Sequence, residues 1–392
     1  MKKVRIVIGA NWGDEGKGLM TDYYASKAKE NNETCLVVCH NGGAQKGHTV
    51  KTIDGERHVF HHFGAGAFEG ALTYLAKTYI VNPYIFNNEY KELISKKATV
   101  TTYLNENSLL STPFDILINQ IIENSRGLNR HGSCGVGIFE TVTRSKINKI
   151  TIKKFLENSD TTKFAILDEI RKYYVPYRLK NLGIEDISDR FKEILSNDNV
   201  IYNFISDFNE MIQKVTICTD DILEKFDCII FEGAQGLALD QNNTKYMPNL
   251  TPSSTDSTNP CNILANFNLN NVDIETCYIT RTYFTRHGAG ILPSECKKTN
   301  INKNIIDLTN VPNEYQETIR YGYFDVNDIM ERINKDLKHY NKINTRKCIL
   351  VTHLNYTENK LKTKEGFLDI KFAPDFEYYV SDSETCNSVK KG

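Results

Sequence analysis

A charge imbalance is missing from this chain. Its 48 Lys and Arg face 49 Asp and Glu, for a formal net charge of −1. No overall field therefore draws it to DNA, RNA or an anionic membrane surface. Long hydrophobic runs are missing too: none approaches the roughly 18 residues that span a bilayer. Neither nucleic acid nor membrane is an expected partner. The start, Met1-Lys2-Lys3, is basic, but the apolar stretch behind it is short and runs straight into glycine, unlike a signal peptide. The ten cysteines contain no Cys-x-x-Cys pair. Cys35 and Cys39 read as a strand-edge pair, and free thiols in a reducing cytoplasm (the host's, if the chain is viral) fit better than disulfides or a zinc site. Internal repeats and low-complexity tracts are absent, which excludes solenoids and linker-like segments.

What is present is a soluble composition, 40% hydrophobic and 25% charged, over 392 residues. That length supports a sizeable core. Short apolar runs alternate with polar helical stretches. Strands are expected at Val4–Ile8, Cys35–Cys39, Tyr79–Val81, Cys228–Phe231, Cys277–Thr282 and Cys348–Thr352. Helices are expected at Gly16–Asn31, Asn87–Lys97, Leu109–Asn124, Thr162–Lys172, Asp186–Ser196, Ile205–Thr216 and Asp325–Tyr340. Strands apolar throughout suit a parallel sheet covered on both faces. The alternation predicts a single α/β domain, doubly wound around a mostly parallel central sheet, over residues 1–392. The charged, glycine-poor stretch 145–225 reads as a mostly helical insertion packed on it. The Asn-, Thr- and Ser-rich stretch 240–260 reads as a functional loop.

Residues 9–18 read Gly-Ala-Asn-Trp-Gly-Asp-Glu-Gly-Lys-Gly, directly after an apolar strand. Glycines let backbone N–H groups close on phosphate oxygens, and the helix N-terminus behind them favours negative charge. Lys17 adds a cation. Asp14 and Glu15 would repel a phosphate, so their presence points to a metal ion or a proton moved during reaction. The spacing does not match a P-loop, and Gly18 stands where that motif needs a hydroxyl. Four further segments carry similar punctuation: Asn41–Thr49, Gly132–Gly137, Phe231–Gly236 and Thr285–Gly290. Loops leaving the carboxyl ends of parallel strands converge on one crevice. His58, His61 and His62 follow a strand-like alternation without a matching fourth ligand, and read as a polar sheet edge rather than a metal site.

Together these strings resemble the adenylosuccinate synthetase family. The carriers are Trp12-Gly-Asp-Glu-Gly-Lys-Gly18, Gly47-His-Thr-Val50, Phe231-Glu-Gly-Ala-Gln-Gly236 with Leu239-Asp240, and Thr285-Arg-His-Gly-Ala-Gly290 with Pro293-Ser-Glu295. They keep the family's order from residue 4 to about 356. The resemblance implies a carbon–nitrogen ligase that phosphorylates the 6-oxo group of a purine monophosphate with a nucleoside triphosphate, then displaces phosphate with L-aspartate. It gives Asp14 the base role and, with the Gly47 carbonyl, a contact to Mg2+. His48 becomes general acid, Lys17 lies on donor phosphates, and Gln235 holds the purine oxygen. Gly13, Glu15, Gly16 and Gly18 shape the phosphate loop, and Gln45 lies beside the purine nucleotide. Ser133, Cys134 and Thr251 meet the monophosphate. Arg144 reaches that phosphate across a homodimer interface.

Three departures carry information. The arginine-rich aspartate loop is replaced by Asn313–Asp325, leaving Arg320, with Thr318, to hold aspartate's carboxylate. The donor-base motif reads Thr352-His-Leu-Asn355. The Asn355 amide offers one donor and one acceptor, matching an adenine edge, where the family's carboxylate matches guanine. ATP or dATP is therefore expected over GTP. The acceptor stays open. Retained Asp14 favours IMP, while the short length and altered loops resemble the archaeal and phage branch, in which (d)GMP is converted to the 2-amino analogue. A GTPase switch lacks its base motif here. A non-catalytic nucleotide-binding relative would be expected to lose Asp14, His48 or Gln235.

Overall fold

A computed structural model describes residues 1–127, 132–306, 319–341 and 343–392. The strands of its main sheet are numbered in chain order: β1 Lys2–Gly9, β2 Cys35–Cys39, β3 Leu72–Leu75, β4 Thr102–Asn105, β5 Val215–Cys218, β6 Cys228–Glu232, β7 Val272–Arg281, β8 Arg346–Thr352, β9 Glu377–Val380 and β10 Lys390–Lys391. Their spatial order is β10-β9-β8-β7-β1-β6-β2-β3-β4-β5. Every neighbouring pair is parallel except β9–β10. This is the expected mostly parallel α/β architecture.

Alternate residues of the central strands feed opposite cores. Val4, Ile6, Ile8, Leu36 and Val38 join one cluster with Trp12, Phe231 and Tyr278. Val7, Val37, Ile230, Ile279 and Leu350 join another with Leu19, Met20, Tyr24 and Ala25 from helix α1, Lys17–Glu30. Period-two alternation with both faces apolar is what a doubly covered sheet requires. The third large cluster unites β3 and β4 with helices α2, Pro83–Ser95, and α3, Pro113–Arg126, and with the 152–211 helices.

Several expectations need correction. Cys35 and Cys39 do not lie at an edge: β2 is interior, between β6 and β3. All ten cysteines are free thiols. Ile80–Val81 leaves the main sheet and pairs with Leu109–Leu110. Those two leucines precede α3, which starts at Pro113 behind a Thr112–Asp115 capping box. The 145–225 stretch ends in β5, an edge strand paired with β4, so it completes the sheet as well as packing on it. β3, β4, β5, β9 and β10 were all unanticipated. Each has only two to four residues, too few to show a period.

The carboxyl ends of β1, β6, β2, β3, β7 and β8 fall on one sheet edge. The registers Val7↔Glu232, Glu232↔Cys39, Cys39↔Leu75, Gly9↔Ile279 and Arg281↔Thr352 fix that alignment. The glycine loops after β1, β2 and β6 leave from this edge.

Candidate active site

The 10–16 loop closes on itself through Glu15. Its carboxylate accepts the backbone N–H groups of Asn11 at 3.0 Å and Gly13 at 2.8 Å. It also pairs with Lys17 at 2.8 Å, and Lys17 donates to the Gly13 carbonyl at 2.6 Å. Both side chains are buried. Glu15 and Lys17 therefore neutralise each other inside the loop wall. Gly16, at φ 108°, adopts the left-handed conformation that turns the loop into α1. Thr352 at the end of β8 donates to the Glu15 carbonyl at 2.8 Å. Arg281 at the end of β7 donates to the Asp14 carbonyl.

Asp14 is thereby pushed outward. Its carboxylate is half-buried and stands 3.8 Å from His287. Burial raises its proton affinity, against the pull of His287 and Arg281. Gln235, at φ 66°, turns back over the loop. Its amide oxygen lies 3.4 Å from where a Cβ on Gly13 would stand. On the other side of the loop, the His48 Cβ lies 3.1 Å from where a Cβ on Gly18 would stand, at the start of α1. Asp14, His48 and Gln235 thus surround one helix N-terminus.

His48 opens a short hairpin, His48–Lys51 with Arg57–Phe60, just after Gly47. Its Nδ1 is 2.8 Å from the Glu232 carboxylate at the end of β6. The other Glu232 oxygen pairs with Lys46 at 2.9 Å, and Lys46 also donates to the Phe63 carbonyl at 2.8 Å and to the Cys39 sulfur at 3.2 Å. Burial would disfavour both charges, yet each holds the other: Glu232 is lowered to about 2 and Lys46 is raised. His48 is lowered to about 4, chiefly by burial and against the pull of Glu232. Its imidazole is neutral near pH 7, with the Nδ1 proton on Glu232 and Nε2 left for a ligand.

Other loops join this crevice. A Cβ on Gly132 would lie 2.9 Å from the Cα of Gly288, so the 132–137 and 286–290 turns touch. Ser133 meets Asn119 at 3.0 Å. Burial raises the Cys134 thiol to about 11. Thr251 is held by its backbone on the Leu239 carbonyl at 3.0 Å. Arg286 lies 4.3 Å over the Trp12 ring and ties the Asn249 and Ile291 carbonyls together. Gln45 is adjacent to Gly42, and neither end of its buried amide has a hydrogen-bond partner among the described residues. Asn355 is exposed in a short turn after His353. His58, His61 and His62 gather around the Glu89 carboxylate, which accepts the N–H groups of His61 and His62 at 2.8 and 2.6 Å.

Two readings fail. Arg144 is fully buried, and its guanidinium is spent within its own chain. It forks onto Asp115 at 2.8 and 2.9 Å and donates to the Leu110 and Asn148 carbonyls at 2.9 and 2.8 Å. Four of its five N–H groups are engaged and the side chain is buried, so the homodimer expectation loses the residue that carried it. Arg320 forks onto Glu295 at 2.8 and 2.5 Å and donates to the Gly288 and Gly290 carbonyls at 2.9 and 2.8 Å. Its fork clasps the 288–290 turn instead of facing a free carboxylate. Thr318 lies outside the described residues. Sequence reasoning passed over Glu232, His287 and Lys46, all inside quoted segments, and Arg281, at the end of an expected strand.

The family's sequence model, adenylosuccinate synthetase, matches residues 6–362. The chain belongs to the adenylosuccinate synthetase family. An adenylosuccinate synthetase from Clostridium botulinum is 32% identical over 298 residues, covering 74% of this chain and 65% of that relative. One from Picrophilus torridus is 28% identical over 327 residues, covering 82% and 72%. The chain therefore spans just under two thirds of the Clostridium relative's length. The fold also matches the fully ligated adenylosuccinate synthetase of Plasmodium falciparum, at TM-score 0.63, 17% identity and coverage of 99% and 86%. It matches cyanophage S-2L succinoaminodeoxyadenylate synthetase, bound to dGMP and dATP, at TM-score 0.64, 15% identity and coverage of 100% and 95%. Family membership explains why the strings at 12–18, 47–50, 231–240 and 285–295 meet at one edge.

Proposed function

We propose that this chain joins L-aspartate to C6 of a purine monophosphate at the expense of a nucleoside triphosphate. The observation that carries the reading is the placement of Asp14, His48 and Gln235 around the N-terminus of α1. A 6-oxo purine holds a poor leaving group, and phosphorylation of that oxygen corrects this. Asp14, with its proton affinity raised by burial, serves as base for the ring N1 proton. The Gln235 amide donates to the purine oxygen. His48 presents Nε2 to the transferring phosphoryl group. Arrival of that anion draws a proton onto the neutral imidazole, which then donates to both Glu232 and phosphate. Such placed donors are each worth roughly 3–4 kcal/mol in the transition state.

A magnesium site fits these residues, since the Asp14 carboxylate and the Gly47 carbonyl are the hard oxygens that ion prefers. When bound, Mg2+ would offset charge on the donor phosphates. The raised proton affinity of Asp14 is consistent with a carboxylate built to sit beside a cation. Lys17 would reach the phosphates only by giving up Glu15. Ser133, Cys134 and Thr251 border the place for the monophosphate, and Gln45 offers an unpartnered amide nearby.

IMP is the favoured acceptor, because Asp14 is retained. The fold likeness to a phage enzyme bound to dGMP and dATP, together with Asn355, supports a second reading with (d)GMP as acceptor and ATP or dATP as donor. The deciding experiment monitors purine absorbance with L-aspartate and Mg2+, crossing IMP and dGMP with GTP, ATP and dATP. Turnover with one acceptor selects the reading. Nucleotide binding without turnover in any combination would overturn the ligase assignment in favour of a binding protein. No helix among the described residues is long and apolar enough to cross a membrane.

A further inference from the structure

Outside this crevice, one cluster beside α1 has no task in the reaction. Asp22 from α1, Glu69 from the Ala67–Glu69 turn and Cys386 from the Cys386–Ser388 turn bring their ligand atoms within 4.8 Å of one another. Asp22 is 2% exposed, and its Oδ1 has no hydrogen-bond partner among the described residues. An orphaned buried carboxylate oxygen is costly unless something is meant to meet it. Cys386 is buried as well, and its thiol makes a long 3.7 Å contact with Asn387 and a hydrogen bond with the Asp22 carboxylate, through a proton that a metal ion would displace. Glu69 is partly open to solvent, which gives an ion a way in, and its Oε2 pairs with Lys29 at 3.0 Å, an exposed lysine the ion would displace.

A second trio behaves differently. Asp256, Asp336 and His339 also cluster. There, however, Asp336 already accepts the Ser257 N–H and hydroxyl, both at 2.7 Å, and the Tyr278 hydroxyl at 2.6 Å. His339 pairs with Asp256 at 3.0 Å. That trio is satisfied by the protein alone, whereas the one at Asp22 is not.

We propose that Asp22, Glu69 and Cys386 bind a borderline-soft divalent cation of the zinc class, with water completing the shell. One thiolate and two carboxylates suit Zn2+ or Co2+ better than Mg2+. Binding forms a metal–sulfur bond and releases the thiol proton to solvent. Thiolate and carboxylates bind only when deprotonated, so affinity falls as pH drops. The ion would pin the C-terminal turn to the helix that carries the phosphate loop.

The test titrates the full chain with Co2+ in excess Mg2+ and follows the thiolate-to-cobalt charge-transfer band, with zinc competition. One equivalent should produce the band, and Zn2+ should abolish it. Zn2+ at 100 times its Kd should raise Tm by about 3–5 °C. Cys386→Ser and Asp22→Asn should lose both effects, and Cys218→Ser should keep them. Should Asp22→Asn fail to fold, Glu69→Gln, at the surface, should weaken cobalt binding at least tenfold. No band at one equivalent, or an unchanged band in Cys386→Ser, would overturn the proposal.

Discussion

Replacing Lys46 by Met probes how the His48 pair is held. The substitution keeps the length of the side chain but removes the ammonium 2.9 Å from Glu232. Both side chains are at most 1% exposed, so water does not replace the lost partner. Breaking such a buried pair costs about 3–5 kcal/mol, because a charge is left alone. Glu232 keeps one neighbour, His48, at 2.8 Å. The variant therefore gains a proton on this dyad at a pH where the wild type holds none, since wild-type His48 titrates at about 4 and Glu232 at about 2. The folded variant then binds one more proton than the folded wild type. Its deficit should shrink by about 1.4 kcal/mol per pH unit as pH falls from the variant's new pKa towards 4. Paired urea unfolding curves at pH 8, 7, 6 and 5 measure this difference, and groups common to both proteins cancel. Histidine NMR should show the His48 ring becoming protonated well above its wild-type range. A deficit under about 1 kcal/mol at pH 8, or one constant across that pH range, would refute the buried-pair account.

Three other outcomes are expected. His48→Ala should lower turnover by about two decades or more while nucleotide binding, followed by calorimetry, is largely retained; a near-normal rate removes His48 from the chemistry. Arg144→Leu strands the buried Asp115 carboxylate and should cost about 3–5 kcal/mol of stability in denaturant titration, whereas an unchanged midpoint with a raised KM for the monophosphate would restore Arg144 to phosphate binding. Asn355→Asp should move donor preference towards GTP by about one decade in kcat/KM, because an acceptor-only group replaces a mixed one; an unchanged ATP:GTP ratio would show that this exposed residue does not read the base.

The parts of the molecule written in contiguous residues were legible beforehand. The apolar run at 4–8 and the glycines behind it defined β1, its loop and the start of α1, and Cys35–Cys39 matches β2 residue for residue. What escaped was pairing over distance. Glu232 meets His48 from 184 positions away, and Asp115 meets Arg144 from 29. Nothing local distinguishes a buried, fully engaged arginine from one facing a ligand. Lys17 and Glu15 are the reverse case: two residues apart, they were assigned to a ligand because their mutual bond is invisible until the loop is folded. The four-residue strands β3, β4 and β5 owe their state to their neighbours rather than to any pattern of their own.

The bonds from Thr352 and Arg281 to the carbonyls of Glu15 and Asp14 have a mechanical meaning. Thr352, three residues before Asn355, holds the Glu15 carbonyl, and Arg281 on the neighbouring strand holds that of Asp14. In the proposed ligase, a nucleotide beside Asn355 would thus reach the Asp14 carboxylate through these bonds, with no domain having to move.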